Sequence, residues 1–196
     1  MSGVKVKMKT FKNKIIALVA LFVIASGSLA FAAPVETGGQ ALSREQIYKK
    51  VRKELVTLPY YGVWDNLAYK VDGSTVTLYG QVVRPTTRTD AERRVKKING
   101  VEQVVNNIEV LPLSSFDDSV RVQTYRTLVR TGGLYRYMMG VNPSIHIIVN
   151  RGQLSLEGVV SNKGDKQLAY IAARGVQGAF SVVNNLRVEG EEADSY

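Results

Sequence analysis

Displacing the sequence by 78 positions, with no gap, lays it on itself: Gly62 on Gly140, Leu78 on Leu156, Gly80 on Gly158, Val82 on Val160 and Ala91 on Ala169. The match continues with Gly100 on Gly178, Val104-Val105 on Val182-Val183, Asn106-Asn107 on Asn184-Asn185 and Val110 on Val188. A chain built this way repeats one supersecondary unit, so any fold assigned to the first copy has to serve the second. The copies span residues 43–111 and 116–189. Between them Pro112 to Ser115 has the short, proline-containing composition of a domain boundary. Residues 33–41 are small and polar, and Glu191 to Tyr196 are acidic without periodicity, so both ends are expected to be loose.

The hydrophobic period changes in the same order in both copies. Ile47, Val51 and Leu55 recur every fourth residue behind a Ser43 cap, which predicts an amphipathic helix; Val122, Tyr125 and Val129 are read as its counterpart. Alternation follows. Leu67, Tyr69 and Val71 match Ile145, Ile147 and Val149, while Val76, Leu78 and Val82 match Leu154, Leu156 and Val160. These are two strands per copy, turning at Asp72-Gly73 and at Asn150-Arg151-Gly152. A second helix is expected from near Thr89 or Asp90, and from near Asp165, with Gly100 and Gly178 ending it in a left-handed conformation. Val101 to Val110 and Ala179 to Val188 close each unit as a third strand. A helix between the second and third strands lets them run parallel. The expected class is therefore α+β: two tandem αββαβ domains, each a small mixed three-stranded sheet with two helices on one face. Each unit of about 70 residues is small for independent folding, so contact between the copies would add stability.

At the N-terminus Lys5, Lys7, Lys9, Lys12 and Lys14 precede an apolar run from Ile15 to Ala25 and a small-residue stretch ending Ala30-Phe31-Ala32. That order reads as a secretory signal peptide over residues 1–32. Ser26, Gly27 and Ser28 end the run short of the roughly 20 residues that cross a bilayer, which argues against a retained anchor. The chain has no cysteine, which excludes a lipidated cysteine, a disulfide and a thiolate metal cage. Five lysines leave with the leader, and the formal charge falls from +9 to +4. The remainder suits an anionic surface but lacks the clustered charge of a nucleic-acid binder.

The segments "TLYGQVV" and "SLEGVV", the helix after each, and the closing "INGVEQVVNNIEV" and "VQGAFSVVNNLRV" resemble the double BON-domain family, of the osmotically inducible periplasmic protein Y type. The resemblance spans nearly all of the chain after the leader and occurs twice. It implies export to the periplasm or outer membrane, no catalytic residues, and binding to phospholipid membranes or assistance to envelope proteins.

The residues themselves give no enzyme. His146 is the single histidine and sits in an alternating strand, off the face of Ile145 and Ile147, where covering a sheet edge is the simplest role. No metal-ligand spacing, phosphate loop or nucleophile elbow is present, so no catalytic residue, metal or cofactor is assigned. Asp117-Asp118 fits a helix cap and dipole partner. Gly80, Gly100, Asn106, Gly158, Gly178 and Asn184 are read as structural. Two features could bind. The links between first helix and first strand place Tyr60, Tyr61 and Trp64 against Met138, Met139 and Asn142, with Tyr135 and Tyr137 nearby. Such side chains suit a membrane interface or a greasy protein groove, and equally could close the ends of the cores. The first helix of copy one carries Lys49, Lys50, Arg52 and Lys53, and its second carries Arg93, Arg94, Lys96 and Lys97; copy two keeps fewer of these charges. The expected function is an envelope binding module on anionic phospholipid surfaces, or alternatively a chaperone-like or scaffold partner of envelope proteins. Mass spectrometry of the protein recovered from the cell envelope should find a chain beginning at or near Ala33, whereas an intact Met1 or Ser2 terminus in a soluble cytoplasmic pool would refute the leader.

Overall fold

Ser43 shows how the chain enters its fold. Its hydroxyl accepts from the Gln46 amide at 3.3 Å, while Gln46 Oε1 accepts from the Ser43 amide at 2.9 Å, closing a capping box. The computed structural model describes residues 43–190. The leader, its cleavage and the two chain ends lie outside the described residues. Helix α1 (Arg44–Val56) turns Ile47, Val51 and Leu55 inward. Strands β1 (Asn66–Asp72) and β2 (Thr75–Val82) form an antiparallel hairpin, helix α2 (Pro85–Val95) crosses back, and β3 (Gln103–Val110) runs parallel to β2. Copy two repeats the plan with α3 (Ser115–Arg130), a single turn α4 (Tyr135–Met138), β4 (Ile145–Asn150), β5 (Gln153–Val160), α5 (Lys163–Arg174) and β6 (Ser181–Val188). The sheets have the order β1-β2-β3 and β4-β5-β6. In each copy the two long helices touch one another and the sheet, burying a separate core. The α+β class and the mixed sheets are as the periodicity predicts.

The registers are also the same in both copies: Leu78 lies opposite Asn106 and Gly80 opposite Ile108, as Leu156 lies opposite Asn184 and Gly158 opposite Leu186. Gly100 and Gly178 each have the expected left-handed φ, +89°, but they do not end the helices: α2 stops at Val95 and α5 at Arg174, with Lys96 and Gly175 as C-caps, and the two glycines shape the turn into the third strand instead. Gly80 and Gly158 answer a stricter demand. Their φ values are +113° and +115°, and a Cβ on either would stand 2.0 Å from a carbonyl oxygen at the head of the neighbouring strand, that of Asn66 or of Ser144.

Three further expectations need correction. The second helices begin at Pro85 and Lys163, ahead of the expected Thr89 or Asp90 and Asp165. Pro85 presets the helical φ of a first-turn residue and lacks only an N–H that would be unpaired there, so the proline starts the helix. The buried stripe of α3 is Val120, Thr124 and Leu128, not Val122, Tyr125 and Val129; Val122 faces solvent. These residues match Ile47, Val51 and Leu55 at an offset of 73, against 78 in the strands, so copy two holds five extra residues between first helix and first strand. Ser114, not Asp117-Asp118, caps α3, its hydroxyl accepting from the Asp117 amide at 3.1 Å. The Asp117 carboxylate instead reaches across to the β4–β5 turn, accepting from the amides of Arg151 and Gly152 at 2.9 and 2.8 Å. Arg121, also buried, donates to the Val149 carbonyl at 2.6 Å, so α3 grips the hairpin twice.

Gly80→Ala and Gly158→Ala should each destabilise the protein by more than about 1 kcal/mol, because positive φ and a backbone collision coincide. Gly62→Ala, with open space at its Cβ, should leave the melting temperature nearly unchanged. Equal melting of all three variants would refute this account of the repeated glycines.

Candidate functional site

β4 is an edge strand, and its unpaired amides would template aggregation if left open. Copy one covers it. The link after α1 brings the Val63 carbonyl to the Ile147 amide at 2.7 Å and the Gly62 carbonyl to His146 Nδ1 at 3.1 Å. A carbonyl only accepts, so Nδ1 carries the proton of this imidazole. The Tyr61 ring lies 5.5 Å from that of His146, and Trp64 meets Tyr125 of α3 edge-on at 5.8 Å. Val63 and Trp64 pack against the core of copy two. His146 and Ile148 point away from that core yet are buried, with exposures of 9% and 4%. Burial has electrostatic consequences here: the Tyr61 hydroxyl is pushed up to about 12, Asp65 is raised, and His146 is lowered. Asp65 holds the link in shape by accepting from the Val83 amide at 2.8 Å and the Gly62 amide at 3.2 Å.

The longer link of copy two is built differently. Leu134, Tyr137 and Met138 are buried in the core, while Tyr135, Met139 and Val141 are 57%, 61% and 86% exposed. The Tyr137 hydroxyl accepts from the Ser161 amide at 3.0 Å and donates to Asp165 at 2.6 Å, and Arg136 also pairs with Asp165. The hydrogen bond from Tyr137, then the charge of Arg136, hold Asp165 below the usual carboxylate range. The expected binding set is thereby divided. Tyr137 and Met138 are core residues because α4 turns them inward, and Tyr61 and Trp64 lie between the copies. Tyr60, 72% exposed under the Arg84 guanidinium at 4.5 Å, remains outside with Tyr135 and Met139. The equivalence of Tyr60, Tyr61 and Trp64 with Met138, Met139 and Asn142 fails for the same reason as the helix alignment: five inserted residues.

The basic residues do converge. Lys50 and Lys53 from α1, and Arg94 and Lys97 at the end of α2, line a groove of about 400 Å³ with Glu54, Ile98 and Asn99. Arg94 lies 3.5 Å from Glu54, the groove's single acid. Lys49 is outside it and pairs with Glu45 at 2.7 Å. At the structurally equivalent places copy two has Gln123, Arg126, Ala172 and Gly175, retaining one cation of four.

Asn106 and Asn184 are structural, as expected, but they tie strand to helix. Each donates to a helix carbonyl, of Arg88 at 3.1 Å or Lys166 at 2.9 Å, and each accepts from the amide two residues on. The sequence reading missed Val141 and an exposed stack of Phe116 on Phe180, with centroids 5.5 Å apart. Gly152 was a signal for the stack, since a Cβ there would strike the Phe180 ring at 2.5 Å. Among the described residues no three His, Asp or Glu side chains gather to hold a metal ion, and no helix is long and apolar enough to cross a membrane.

The described residues thus form a tandem αββαβ protein with a basic helical groove, a seam between the copies and an exposed apolar link. The BON-domain profile matches residues 43–112 and 138–190, and the chain belongs to the BON-domain family, which is associated in general with membrane and envelope binding. The second match begins within α4, after the five-residue insertion has displaced α3 from the common pattern. No curated protein matches the sequence. Among solved structures, CdsD, a structural protein of the type III secretion system of Chlamydia trachomatis, is similar at 11% identity and a TM-score of 0.29, covering 74% of this chain and 94% of that one. A second structure, of the CdsD C-terminal domain, gives 10% identity and a TM-score of 0.28, covering 75% and 99%.

The histidine makes the seam pH-sensitive. A pKa lowered on folding contributes stability that is present above the unfolded value of about 6.5 and is lost as pH falls through the folded value. The groups facing His146 are Tyr61 and Asp65 of the link and Glu157 across the hairpin. Melting temperature should therefore drop between pH 7.5 and 5.5, and by less in His146→Gln; parallel curves for the two proteins would contradict a buried neutral imidazole.

Proposed function

We propose that the protein is exported to the cell envelope, where it associates with anionic phospholipid surfaces and supports envelope integrity. The observation that carries this reading is the α1–α2 groove, where Lys50, Lys53 and Arg94 from the two helices and Lys97 just beyond α2 line the surface with one acid. Arg94 ties the two helices by pairing with Glu54 and donating to Thr57, but the lysines beside it add like charge with no second acid among the groove residues. Copy two keeps the packing position of Ile98 as Val176 while discarding three of the cations, so the fold does not require them. Near an anionic bilayer each exposed basic residue contributes on the order of 1 kcal/mol, within a Debye length of about 8 Å at physiological salt. The family's general association with membranes and envelopes supports the same reading.

A second reading, a chaperone-like or scaffold role toward envelope proteins, is favoured by the Phe116–Phe180 stack, whose rings are 45% and 76% exposed. Salt separates the two, because screening weakens charge-led binding far more than apolar contact. In liposome flotation the mature chain should rise with phosphatidylglycerol vesicles at low salt, much less so at about 0.5 M salt, and not with phosphatidylcholine alone. Lys50→Glu combined with Lys53→Glu and Lys97→Glu should abolish flotation without lowering the melting temperature. Equal binding to neutral vesicles, or full binding by the triple variant, would overturn the electrostatic reading.

A further inference from the structure

The two links have the same place in the repeat and opposite fates. In copy one, Val63 and Trp64 are consumed by the contact with copy two. In copy two the inserted turn presents Tyr135, Met139 and Val141 to solvent, and no contact of the seam type uses them. Tyr135 opens α4 and Met139, its extended C-cap, follows it, and both side chains face outward. The inner side is anchored by Leu134, Tyr137 and Met138, and by the hydrogen bonds of Tyr137 to Ser161 and Asp165. Large apolar groups are thus held outward on a braced turn, which removes the usual entropic cost of ordering a loop on binding.

We infer that this turn is the element that enters the bilayer interface, with Met139 and Val141 reaching the acyl boundary and Tyr135 at head-group level. The inference rests on the membrane reading above and assigns its apolar contact to copy two. Chemistry selects the occupant. Tyrosine has the amphipathic ring of interfacial anchors, and methionine adapts to a fluid surface. Arg130, exposed at the end of α3 just before the turn, supplies a cation beside it, while Arg136 on α4 is paired with Asp165. The acid on this side, Asp165, is committed to Tyr137, Arg136 and Asn162. The patch is therefore apolar with the Arg130 cation beside it and its one acid paired, a combination that suits anionic head groups over hydrocarbon.

Because the chain has no cysteine, one can be introduced as a unique probe site. The mature protein carrying Met139→Cys or Val141→Cys, labelled with an environment-sensitive fluorophore, should show a blue shift and gain in emission on adding phosphatidylglycerol vesicles. Probes at Tyr60→Cys and Phe180→Cys, also exposed, should stay unchanged. Met139→Asp with Val141→Asp should weaken vesicle binding about tenfold or more, from lost apolar burial alone, with an unaltered melting temperature. Several results would refute the assignment. If the chain floats with vesicles while probes at 139 and 141 remain silent, the membrane reading stands and this inference falls. A shift only at 180 would give the apolar contact to the phenylalanine stack. A shift that needs no vesicles and grows with protein concentration would mean self-association through the turn. No flotation of the unmodified chain under any condition would remove both readings together.

Discussion

One edge-strand contact, the Val63 carbonyl on the Ile147 amide, decides which surfaces of this protein are free. A three-stranded sheet has two edges, and in copy two the β4 edge is covered by the other copy's link. The longer link of copy two has a different course, and its Val141 remains 86% exposed. The two links are thus used differently, although the equivalent edge strands β1 and β4 touch. That asymmetry withdraws Tyr61 and Trp64 from the surface while leaving the equivalent region of copy two outside. It also explains why β4 is buried at five consecutive positions, His146 included, when a half-solvated edge strand would alternate.

Five residues separate the two solutions to one backbone requirement. The amide after β2, Val83, is satisfied by the Asp65 carboxylate, and its counterpart Ser161 by the Tyr137 hydroxyl. A carboxylate on a short link and a phenol on a longer one meet the same buried donor, because an unpaired amide there would cost about 1–3 kcal/mol. The longer link pulls Tyr137 inward, and Tyr135 on α4 and Met139 after it are left outward. A core requirement and a surface feature thus come from the same insertion.

The copies diverge in charge where packing is indifferent to it. Ile98 and Val176 both lie under the helices, but the cations around Ile98 have no full set of counterparts around Val176. Helix C-termini carry partial negative charge, which accounts for one or two basic residues in a last turn. Four cations against one acid exceed that, which is why the groove in copy one, and not the retained Arg126 of copy two, carries the electrostatic part of the proposal.

The sequence by itself determined the repeat, the strands and their order of pairing directions, the capping at Ser43 and the repeated glycines. Each of these follows from local periodicity or from a conformation that side chains resist, and both are written residue by residue. The identity of Gly80 with Gly158, and of Asn106 with Asn184, marked backbone needs that the structure locates in the Asn66 and Ser144 carbonyls and in the Arg88 and Lys166 carbonyls. The basic runs on α1 and α2 were visible, but not that Lys50, Lys53, Arg94 and Lys97 face one groove while Lys49 stands apart. An ungapped shift of 78 hid the insertion before β4, because helical stripes in α3 fit more than one offset until packing selects Val120, Thr124 and Leu128. Only tertiary structure decided the rest: His146 and Ile148, solvent-facing by strand parity, are buried by a segment more than 80 residues away in sequence, and Tyr61 and Trp64 are held there with them. Which apolar side chains are sealed and which are offered depends on that long-range contact, and no local pattern encodes it.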